Sequence, residues 1–397
     1  MNEIFSMHAT RRERVRILTV LGTRPEAIKL APLATAFDAH DGIEHALCST
    51  GQHTEMLAQV LDLFGITPAH DLKIGSIGGS LPRLGAAITA GVGDLLSSFP
   101  ADIVVVQGDT ATALGGALAA YYRSIDVAHV EAGLRTGNLA APWPEEGNRR
   151  MISSVATWHF APTERAAVNL RGEGIDPSRI RVTGNTGIDA LLSMRDRLRR
   201  ERALAESAAA PFRFLDPGRR LILMTGHRRE NFGSGLAGVF EALIELSRRP
   251  DIQIVYPVHL NPNVADPAAR TLGNLPNVHL IEPQPYHRMI HLMERAHLII
   301  TDSGGIQEEA PALGVPVLVT RAVTERQEAL EAGTALLVGT DTGRILEEAR
   351  ALLDQPEHHR RMAEARNPFG DGHASARIVE TLIAEWRAFR QLKAACA

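Results

Sequence analysis

Three carboxylates in the first half of the chain stand just beyond stretches that read as buried strands, or in the loop behind one. Asp109 follows the apolar run 103–107, Glu131 directly ends the run 127–130, and Glu145 follows Pro-Trp-Pro in the next loop. Carboxylates that share one site can have their pKa values pushed apart, so that one carries a proton while another is ionised. The three positions therefore predict a site for proton transfer.

Each acid also has a structural explanation. Asp109, between Gly108 and Thr110, is equally well explained as the N-cap of the following helix. Glu145 suits the first turn of a helix, where the helix dipole favours negative charge. Glu131 is harder to explain in this way, because a carboxylate that ends an apolar strand is desolvated unless a partner or a ligand faces it.

A second stretch, 301–311, reads as a strand end, a glycine turn and a short helix. Ser303 is a favoured N-cap residue, and Gly304 and Gly305 have no side chains to keep a ligand away from the free N–H groups. Such a helix start suits a phosphate, and the acidic pair Glu308–Glu309 could accept hydrogen bonds from ribose hydroxyls. The alternative is a capped turn without a ligand.

Cationic side chains are also expected near strand ends in both halves. They are Arg24, Lys29, Arg135, Arg149, His227, Arg228, Arg321 and Arg326. Any one of them alone is also explained as a surface residue, but two cation-rich half-sites that face each other suit a diphosphate.

A metal is weakly supported, since His287 and His291 lie at i and i+4 without an HExxH motif or a cysteine partner. No Gly-x-Gly-x-x-Gly follows the first strand, so a nicotinamide dinucleotide is not indicated.

Strands and helices alternate along the chain, which predicts an α/β fold with a parallel sheet in each half. The strands are expected at 15–21, 103–107, 127–130, 179–183, 221–225, 252–258, 278–281, 296–300 and 317–319. Ligands of such sheets bind beyond the carboxyl ends of the strands. The polar motifs lie at those ends and come from both halves, so the site is expected in the cleft between two domains.

A length of 397 residues also favours two domains over one core. We expect a disordered leader at 1–14, a first domain at 15–195 and a second at 211–374, joined by a charged, alanine-rich linker. Two local features are predicted as well. The glycines of 75–93 follow no clear strand and indicate a flexible loop, and Thr-Glu-Arg-Gln at 324–327 indicates a helix capping box.

The charge and cysteine content restrict the partners. A formal net charge of −4 gives no general attraction to nucleic acid or to a membrane. No segment reads as a signal peptide or a membrane span. The two cysteines, Cys48 and Cys396, do not suggest a disulfide framework, so a cytoplasmic enzyme is expected.

Seven motifs occur in order from the first strand to the last helix. They are GTRPEAIKLAP (22–32), HVEAGLRTG (129–137), PWPEEGNR (142–149), GHRREN (226–231), YPVHLNPNV (256–264), TDSGGIQEEAP (301–311) and NPFGDGHAS (367–375). Together they resemble the bacterial non-hydrolysing UDP-N-acetylglucosamine 2-epimerases. The resemblance implies two Rossmann-like domains facing across a cleft, of the glycosyltransferase-B type, with the C-terminal helix, about 375–397, crossing back to the first domain. It also implies a homodimer without a metal or a nicotinamide cofactor.

The reaction implied by the resemblance is reversible epimerisation at C2 of UDP-N-acetylglucosamine to UDP-N-acetylmannosamine, by elimination of UDP to 2-acetamidoglucal and re-addition. Its product supplies N-acetylmannosamine units for cell-surface polysaccharide. The resemblance makes Asp109, Glu131 and Glu145 the acid–base set, with His227 supporting the leaving diphosphate. Substrate binding then falls to Arg24, Lys29, Arg135, Arg149, Gln284, Met289, Ser303, Gly304, Gly305, Glu309, Arg321 and Arg326, of which Gln284 and Met289 match positions near the uracil.

Some family members use UDP-N-acetylglucosamine as an effector, and Gln52, Arg228 and His259 match that pocket. Glu55 and the loop around Gly78 depart from it, so weak effector dependence is expected. Two other functions remain open from the residues alone. A retaining glycosyltransferase of the same fold would need an acceptor site, and a non-catalytic nucleotide-sugar sensor would not need all three acids.

Overall fold

The computed structural model divides the chain into two compact units. Unit 1 comprises Met1–Thr186 and Ser375–Ala397, and unit 2 comprises Gly187–Ala374. The structure describes residues 14–51, 54–77, 80–226, 228 and 231–396, without the side chains of 54–56, 76–77 and 389–396. The expected leader therefore lies outside the described residues except for its last position.

Unit 1 is built on a parallel sheet in the order β3-β2-β1-β4-β5-β6-β7. Its strands are β1 Val15–Leu21, β2 Ile43–Ser49, β3 His70–Asp71, β4 Ile103–Gln107, β5 Asp126–Val130, β6 Trp158–Ala161 and β7 Ile180–Val182. The connecting helices are α1 Arg24–Asp38, α2 Thr54–Phe64, α3 Leu81–Ser98, α4 Ala111–Tyr121, α5 Glu145–Val155 and α6 Glu164–Gly172. The strand order reverses between β1 and β4, as in a doubly wound Rossmann-like sheet.

Unit 2 repeats this topology with a parallel sheet in the order β10-β9-β8-β11-β12-β13. Its strands are β8 Arg220–Thr225, β9 Ile252–Pro257, β10 Val278–Ile281, β11 Ala296–Thr301, β12 Val317–Val319 and β13 Ala335–Leu337. Its helices are α7 Thr186–Arg200, which begins at the boundary, α8 Arg202–Ala209, α9 Ser234–Ser247, α10 Pro262–Leu272, α11 Tyr286–Arg295, α12 Gly304–Glu309, α13 Gln327–Glu331, α14 Thr342–Asp354 and α15 Pro356–Ala363. The fold is therefore α/β with two Rossmann-like units, as expected.

The last helix, α16 Ala374–Cys396, returns to unit 1 as predicted. Its apolar residues Ile378, Leu382 and Trp386 are buried in the same core as β1 and α1. At the edge of this contact, Glu385 accepts hydrogen bonds from Trp158 and, at 2.6 Å, from Arg181. Apolar burial and this polar contact together fix the helix on the sheet of unit 1.

The prediction of a flexible glycine loop at 75–93 is wrong over most of its length, because α3 contains Gly85, Gly91 and Gly93. The glycines allow close packing instead. A Cβ atom at Gly91 would lie 3.2 Å from the Ile74 side chain, and one at Gly115 of the neighbouring α4 would lie 2.6 Å from Ile88 of α3. Within the described part of the chain, no helix is both long and apolar enough to cross a membrane.

Candidate functional site

The switch point of unit 1 lies between β1 and β4, whose carboxyl ends are neighbours in the sheet. The turn after β1 leads into Arg24, the half-buried first residue of α1, and the turn after β4 carries Asp109. Glu131 follows β5, which pairs with β4. Ligands of doubly wound sheets bind in the crevice at such a point. The structure therefore brings these predicted residues to one edge of the sheet.

Glu131 has a backbone φ of +63°, which is costly for a residue other than glycine and is often retained at functional sites. Its Oε2 atom accepts hydrogen bonds from Lys29 Nζ at 2.5 Å and from Gln107 Nε2 at 2.6 Å. The side chain is only 8% exposed. These two donors supply the partners that a carboxylate at the end of an apolar strand requires.

Asp109 does not cap α4, so the N-cap explanation for it is wrong. The N-cap is Thr110, whose hydroxyl oxygen accepts from the N–H of Ala113 at 3.0 Å. Two residues of α5 hold Asp109 instead. Arg149 Nη1 lies 3.2 Å from its carboxylate, and Asn148 Nδ2 donates to its carbonyl oxygen at 2.8 Å.

Glu145 and Glu146 begin α5, but their surroundings differ. Glu146 is fully buried and accepts hydrogen bonds from the backbone N–H groups of Thr136 at 3.0 Å and Gly137 at 3.3 Å. It also pairs with Arg149 at 3.1 Å. Glu145 has a buried Oε2 atom without a hydrogen-bond partner among the described residues. Glu146 therefore stabilises the loop, whereas Glu145 has an oxygen available for a ligand.

Arg135, expected to bind substrate, is largely engaged within unit 1. Its Nε and Nη2 atoms each donate to the Glu173 carboxylate at 2.7 Å, and Nη2 also donates to Ser153 Oγ at 2.9 Å. The guanidinium group lowers the pKa of Glu173 through this hydrogen bonding. These contacts join the loop after β5 to α5 and to the end of α6.

Two buried histidines lie side by side on β5 and β6, where His129 pairs with His159. His129 Nε2 donates to the carbonyl oxygen of Gly108 at 2.7 Å, which fixes the Nε2–H tautomer. Burial is the main cause that lowers the pKa of His129 to about 3, and it lowers the pKa of His159 to about 4. Both side chains are therefore neutral in the folded protein at neutral pH.

These histidines predict a loss of stability on acidification. A pKa depressed below the ordinary 6.5 gives stability that is present above pH 6.5 and is lost as the pH falls towards about 4 for His159 and about 3 for His129. The free energy of unfolding should fall by up to about 1.4 kcal/mol per pH unit for each histidine. Urea unfolding between pH 7.5 and 4.5 measures this slope. It should be shallower in His129→Gln, which keeps a donor for Gly108, and an unchanged slope would contradict the assignment.

The switch point of unit 2 lies between β8 and β11 and is also held by side chains. The hydroxyl groups of Thr225 and Thr301 lie 2.6 Å apart, and Thr301 Oγ1 accepts from the N–H of Ser303 at 2.9 Å. Ser303 occupies the N-cap position of α12, but its side chain does not bond to the helix backbone. Gly305 is exposed with open space where a side chain would be. The predicted strand end, glycine turn and short helix are therefore present, whereas phosphate binding by this turn stays a prediction.

Arg326 lies against that turn. A Cβ atom at Gly304 would be 3.2 Å from the Arg326 guanidinium carbon, so glycine is needed for this approach. Arg326 pairs with Glu308 at 2.7 Å and with Glu325 at 2.7 Å, and Arg321 also pairs with Glu325, at 2.6 Å. Burial opposes ionisation of Glu325, but the two arginines more than offset it and its pKa is lowered.

The capping box predicted at 324–327 is wrong. The N-cap of α13 is Arg326, without a side-chain cap. The Thr324 hydroxyl donates to Gln307 at 2.6 Å instead, and Gln327 donates to the Thr324 carbonyl oxygen at 2.6 Å. This hydrogen bonding ties the Arg326 segment to α12.

The remaining predicted residues of unit 2 lie in several different elements. Gln284 has a buried Oε1 atom without a partner among the described residues, and Met289 on α11 is half-buried. Glu309, at the end of α12, is half-buried, and His259 is exposed and accepts from the N–H of Asn261 at 3.1 Å. Arg228 Nη2 lies 3.9 Å from Glu325. The predicted residues His227 and Gln52 lie outside the described residues.

Sequence reasoning missed several residues that hold the acids. Gln107, Asn148 and Glu146 contact Glu131, Asp109 and the loop after β5, respectively. A polar residue ending the apolar strand β4 was a detectable signal for Gln107, whereas the roles of the other two depend on the packing of α5.

No group of three or more side chains able to hold a metal ion occurs among the described residues.

Comparisons with known proteins identify the family of the chain. A family model described as UDP-N-acetylglucosamine 2-epimerase matches residues 35–383. A UDP-N-acetylglucosamine 2-epimerase of Escherichia coli K12 is 52% identical over 93% of this chain and 98% of its own length. A probable one from Ralstonia solanacearum is also 52% identical, over 93% of this chain and 99% of its own.

Solved structures of the same family have the same fold. The crystal structure of a UDP-GlcNAc 2-epimerase from Neisseria meningitidis bound to UDP-GlcNAc has a TM-score of 0.86 and 47% identity, covering 93% of this chain and all of its own. A glycosyltransferase from Rickettsia africae, at 16% identity and a TM-score of 0.62, shares the fold alone. Since the family model and the relatives span most of its length, the chain belongs to the UDP-N-acetylglucosamine 2-epimerase family.

Proposed function

We propose that the protein interconverts UDP-N-acetylglucosamine and UDP-N-acetylmannosamine by inverting C2 of the sugar. The observation that carries this proposal is the set of three acids held by different elements of unit 1 in a chain that belongs to this family. Glu131 is held by two donors, Asp109 by Arg149, and Glu145 keeps a buried oxygen without a partner among the described residues. Inverting a carbon that carries a hydrogen needs proton removal on one face and proton delivery on the other.

The proposed chemistry proceeds by elimination and re-addition. A base removes the C2 proton, the electron pair forms the C1–C2 double bond, and the C1–O bond breaks with its electrons leaving on UDP. The product is 2-acetamidoglucal, and UDP then adds back to C1 as a proton reaches the other face of C2. We assign proton transfer to Asp109, Glu131 and Glu145, and support of the leaving diphosphate to His227.

Nucleotide binding is assigned to the turn after β11. We assign the phosphates to the backbone N–H groups of Gly304 and Gly305 and to the Ser303 hydroxyl, because the Ser303 N–H already donates to Thr301 Oγ1. Arg326 lies beside this turn. Gln284 and Met289 are assigned to the uracil, and Arg24, Arg149, Arg321 and Glu309 complete the proposed substrate contacts. Lys29 is also assigned to substrate binding. Its ammonium group would then contact both the substrate and Glu131.

The proposed function is tested by product identity. Incubation with UDP-N-acetylglucosamine followed by proton NMR should show the anomeric signal of UDP-N-acetylmannosamine, approaching the same ratio from either substrate. A retaining glycosyltransferase or a sensor would leave the nucleotide sugar unchanged in the absence of an acceptor, and a hydrolysing epimerase would release free N-acetylmannosamine. Any of these results would contradict the proposal.

We further propose a cytoplasmic homodimer whose product enters cell-surface polysaccharide. An exposed apolar surface on unit 1 supports the dimer. Leu81 of α3, Leu114 and Leu118 of α4 and Trp143 line a hollow of about 390 Å³, and Trp143 is 70% exposed. Large apolar patches commonly mark interfaces. Light scattering after size exclusion should give the mass of two chains, and Leu118→Glu should give that of one; a monomeric wild type would contradict the dimer.

Effector dependence should be weak in this protein. Gln52, Arg228 and His259 match the effector pocket of the family, but Glu55 places a carboxylate where an amide is common, and a carboxylate repels a diphosphate. The reverse reaction from pure UDP-N-acetylmannosamine should therefore start without a long lag. A long lag abolished by trace UDP-N-acetylglucosamine would show the effector site to be intact and this inference to be wrong.

A further inference from the structure

A buried carboxylate bridges the two turns at the switch point of unit 1. Glu26 is fully buried, and its Oε2 atom accepts hydrogen bonds from the N–H groups of Gly22 at 3.0 Å and Thr23 at 2.8 Å. Its Oε1 atom accepts from the Thr110 hydroxyl at 2.6 Å. Gly22 and Thr23 follow β1, whereas Thr110 follows β4. One side chain therefore connects two turns that are distant in sequence.

Capping of α1 does not by itself explain this carboxylate. Thr23 and Glu26 form a capping box, but glutamine fills that role as well as glutamate. Burial raises the pKa of Glu26, so an ionisable group is kept there against a desolvation cost. Because the Thr110 oxygen already accepts from Ala113, its proton needs an acceptor. The second carboxyl oxygen is such an acceptor, whereas the amide nitrogen of glutamine is not.

Thr110 directly follows Asp109, and other contacts hold the same turn. His129 donates to the Gly108 carbonyl oxygen at 2.7 Å, and Asn148 donates to the Asp109 carbonyl oxygen at 2.8 Å. The Glu26 contact differs from these two because it also holds the turn that leads into Arg24. It therefore sets the position of Asp109 relative to the start of α1.

Unit 2 has a similar bridge built from different residues. Asp302, which is 2% exposed, follows β11, and its Oδ2 atom accepts from the N–H of Arg228 at 2.9 Å and from Asn231 Nδ2 at 3.3 Å. Arg228 and Asn231 lie in the segment after β8. In each unit, a buried carboxylate thus joins the turns that follow the two strands of the switch point.

We propose that Glu26 is a positioning residue that acts through Thr110 on the acid Asp109. The inference rests on the proposed function, since it concerns the placement of one of the proposed acids. Asp109 must approach the substrate closely to transfer a proton, and a misplacement of about 1 Å can cost about 10²-fold in rate. Loss of the Glu26–Thr110 hydrogen bond should therefore lower turnover without a matching loss of nucleotide affinity.

The test removes that hydrogen bond from either side. Thr110→Val and Glu26→Gln should each lower kcat by about 10- to 10²-fold, with nearly unchanged UDP affinity by calorimetry. The double variant should lose little more than one single variant, because both changes remove the same bond. Thr110→Ser keeps the hydroxyl and should retain turnover near that of the wild type. Thr163→Val removes an equivalent threonine cap, on α6, and should also keep its kcat.

A double-mutant cycle that combines Thr110→Val with Asp109→Asn separates a positioning role from a merely structural one. If Glu26 acts through Asp109, Thr110→Val should have little further effect on the residual rate of Asp109→Asn. An equal loss in both backgrounds would overturn the proposal. A Thr110→Val enzyme with wild-type turnover would overturn it too. A wild-type chain without epimerase activity would instead overturn the proposed function and this inference with it, so the two failures are distinguishable.

Discussion

Asp109→Asn, Glu131→Gln and Glu145→Gln should each lower kcat for epimerisation by about 10²- to 10⁴-fold, the usual contribution of a general acid or base. Each change removes the ability to exchange a proton while keeping the shape of the side chain. UDP affinity, measured by calorimetry, should change little, because the nucleotide is assigned to unit 2. A loss of kcat without a loss of binding is the pattern of an interaction made in the transition state.

The control for these variants is Glu164→Gln, an exposed acid of the same unit whose side chain pairs with Arg171 on the same helix. Exposed pairs of this kind contribute little, so its kcat and stability should match those of the wild type. Near-normal turnover in any one of the three variants would remove that residue from the proposed acid–base set. Equal losses of UDP affinity and kcat would indicate a binding role instead.

Glu146→Gln should act on stability and is the second large effect expected. Glu146 is fully buried and pairs with Arg149 and Arg150, and it binds two backbone N–H groups of the loop after β5. Removing one partner of a buried ion pair typically costs about 3–5 kcal/mol. We expect the lower end of that range in urea unfolding, because Arg149 keeps its contact with Asp109.

The neighbouring Glu145→Gln is the matched control for that measurement. It lies one residue away on the same helix turn, and its buried Oε2 atom has no hydrogen-bond partner among the described residues, so its free energy of unfolding should stay close to that of the wild type. We therefore expect opposite patterns, with a loss of turnover in Glu145→Gln and a loss of stability in Glu146→Gln. Similar stability losses in both would contradict the assignment of Glu146 as the structural acid.

The apolar strands were readable from the sequence. Val15–Leu21, Ile103–Gln107 and Val317–Val319 have the predicted limits, because a strand buried on both faces is a continuous apolar run bounded by turn residues. Ile43–Ser49 and Trp158–Ala161 were not predicted, since charged or histidine side chains interrupt their pattern. In these strands the tertiary context decides the structure rather than the local pattern.

The site was predictable only in part. The acids and cations stand at strand ends, so their general location follows from the fold class. Their pairings do not, because a sequence cannot show that Lys29 faces Glu131, that Arg135 faces Glu173, or that Glu146 rather than Glu145 is saturated. The glycines of α3 were also misleading, because they indicated a flexible loop. They lie instead in a helix that packs closely against α4, where small residues are favoured.

The measurement that tests the central claim most directly is isotope exchange at C2 in heavy water. We expect the protein to convert UDP-N-acetylglucosamine into UDP-N-acetylmannosamine that carries deuterium at C2, because the proton removed there is replaced by one from solvent. The C2 proton signal of the product should be absent from its NMR spectrum. UDP-N-acetylmannosamine formed with the original hydrogen retained at C2 would contradict the account.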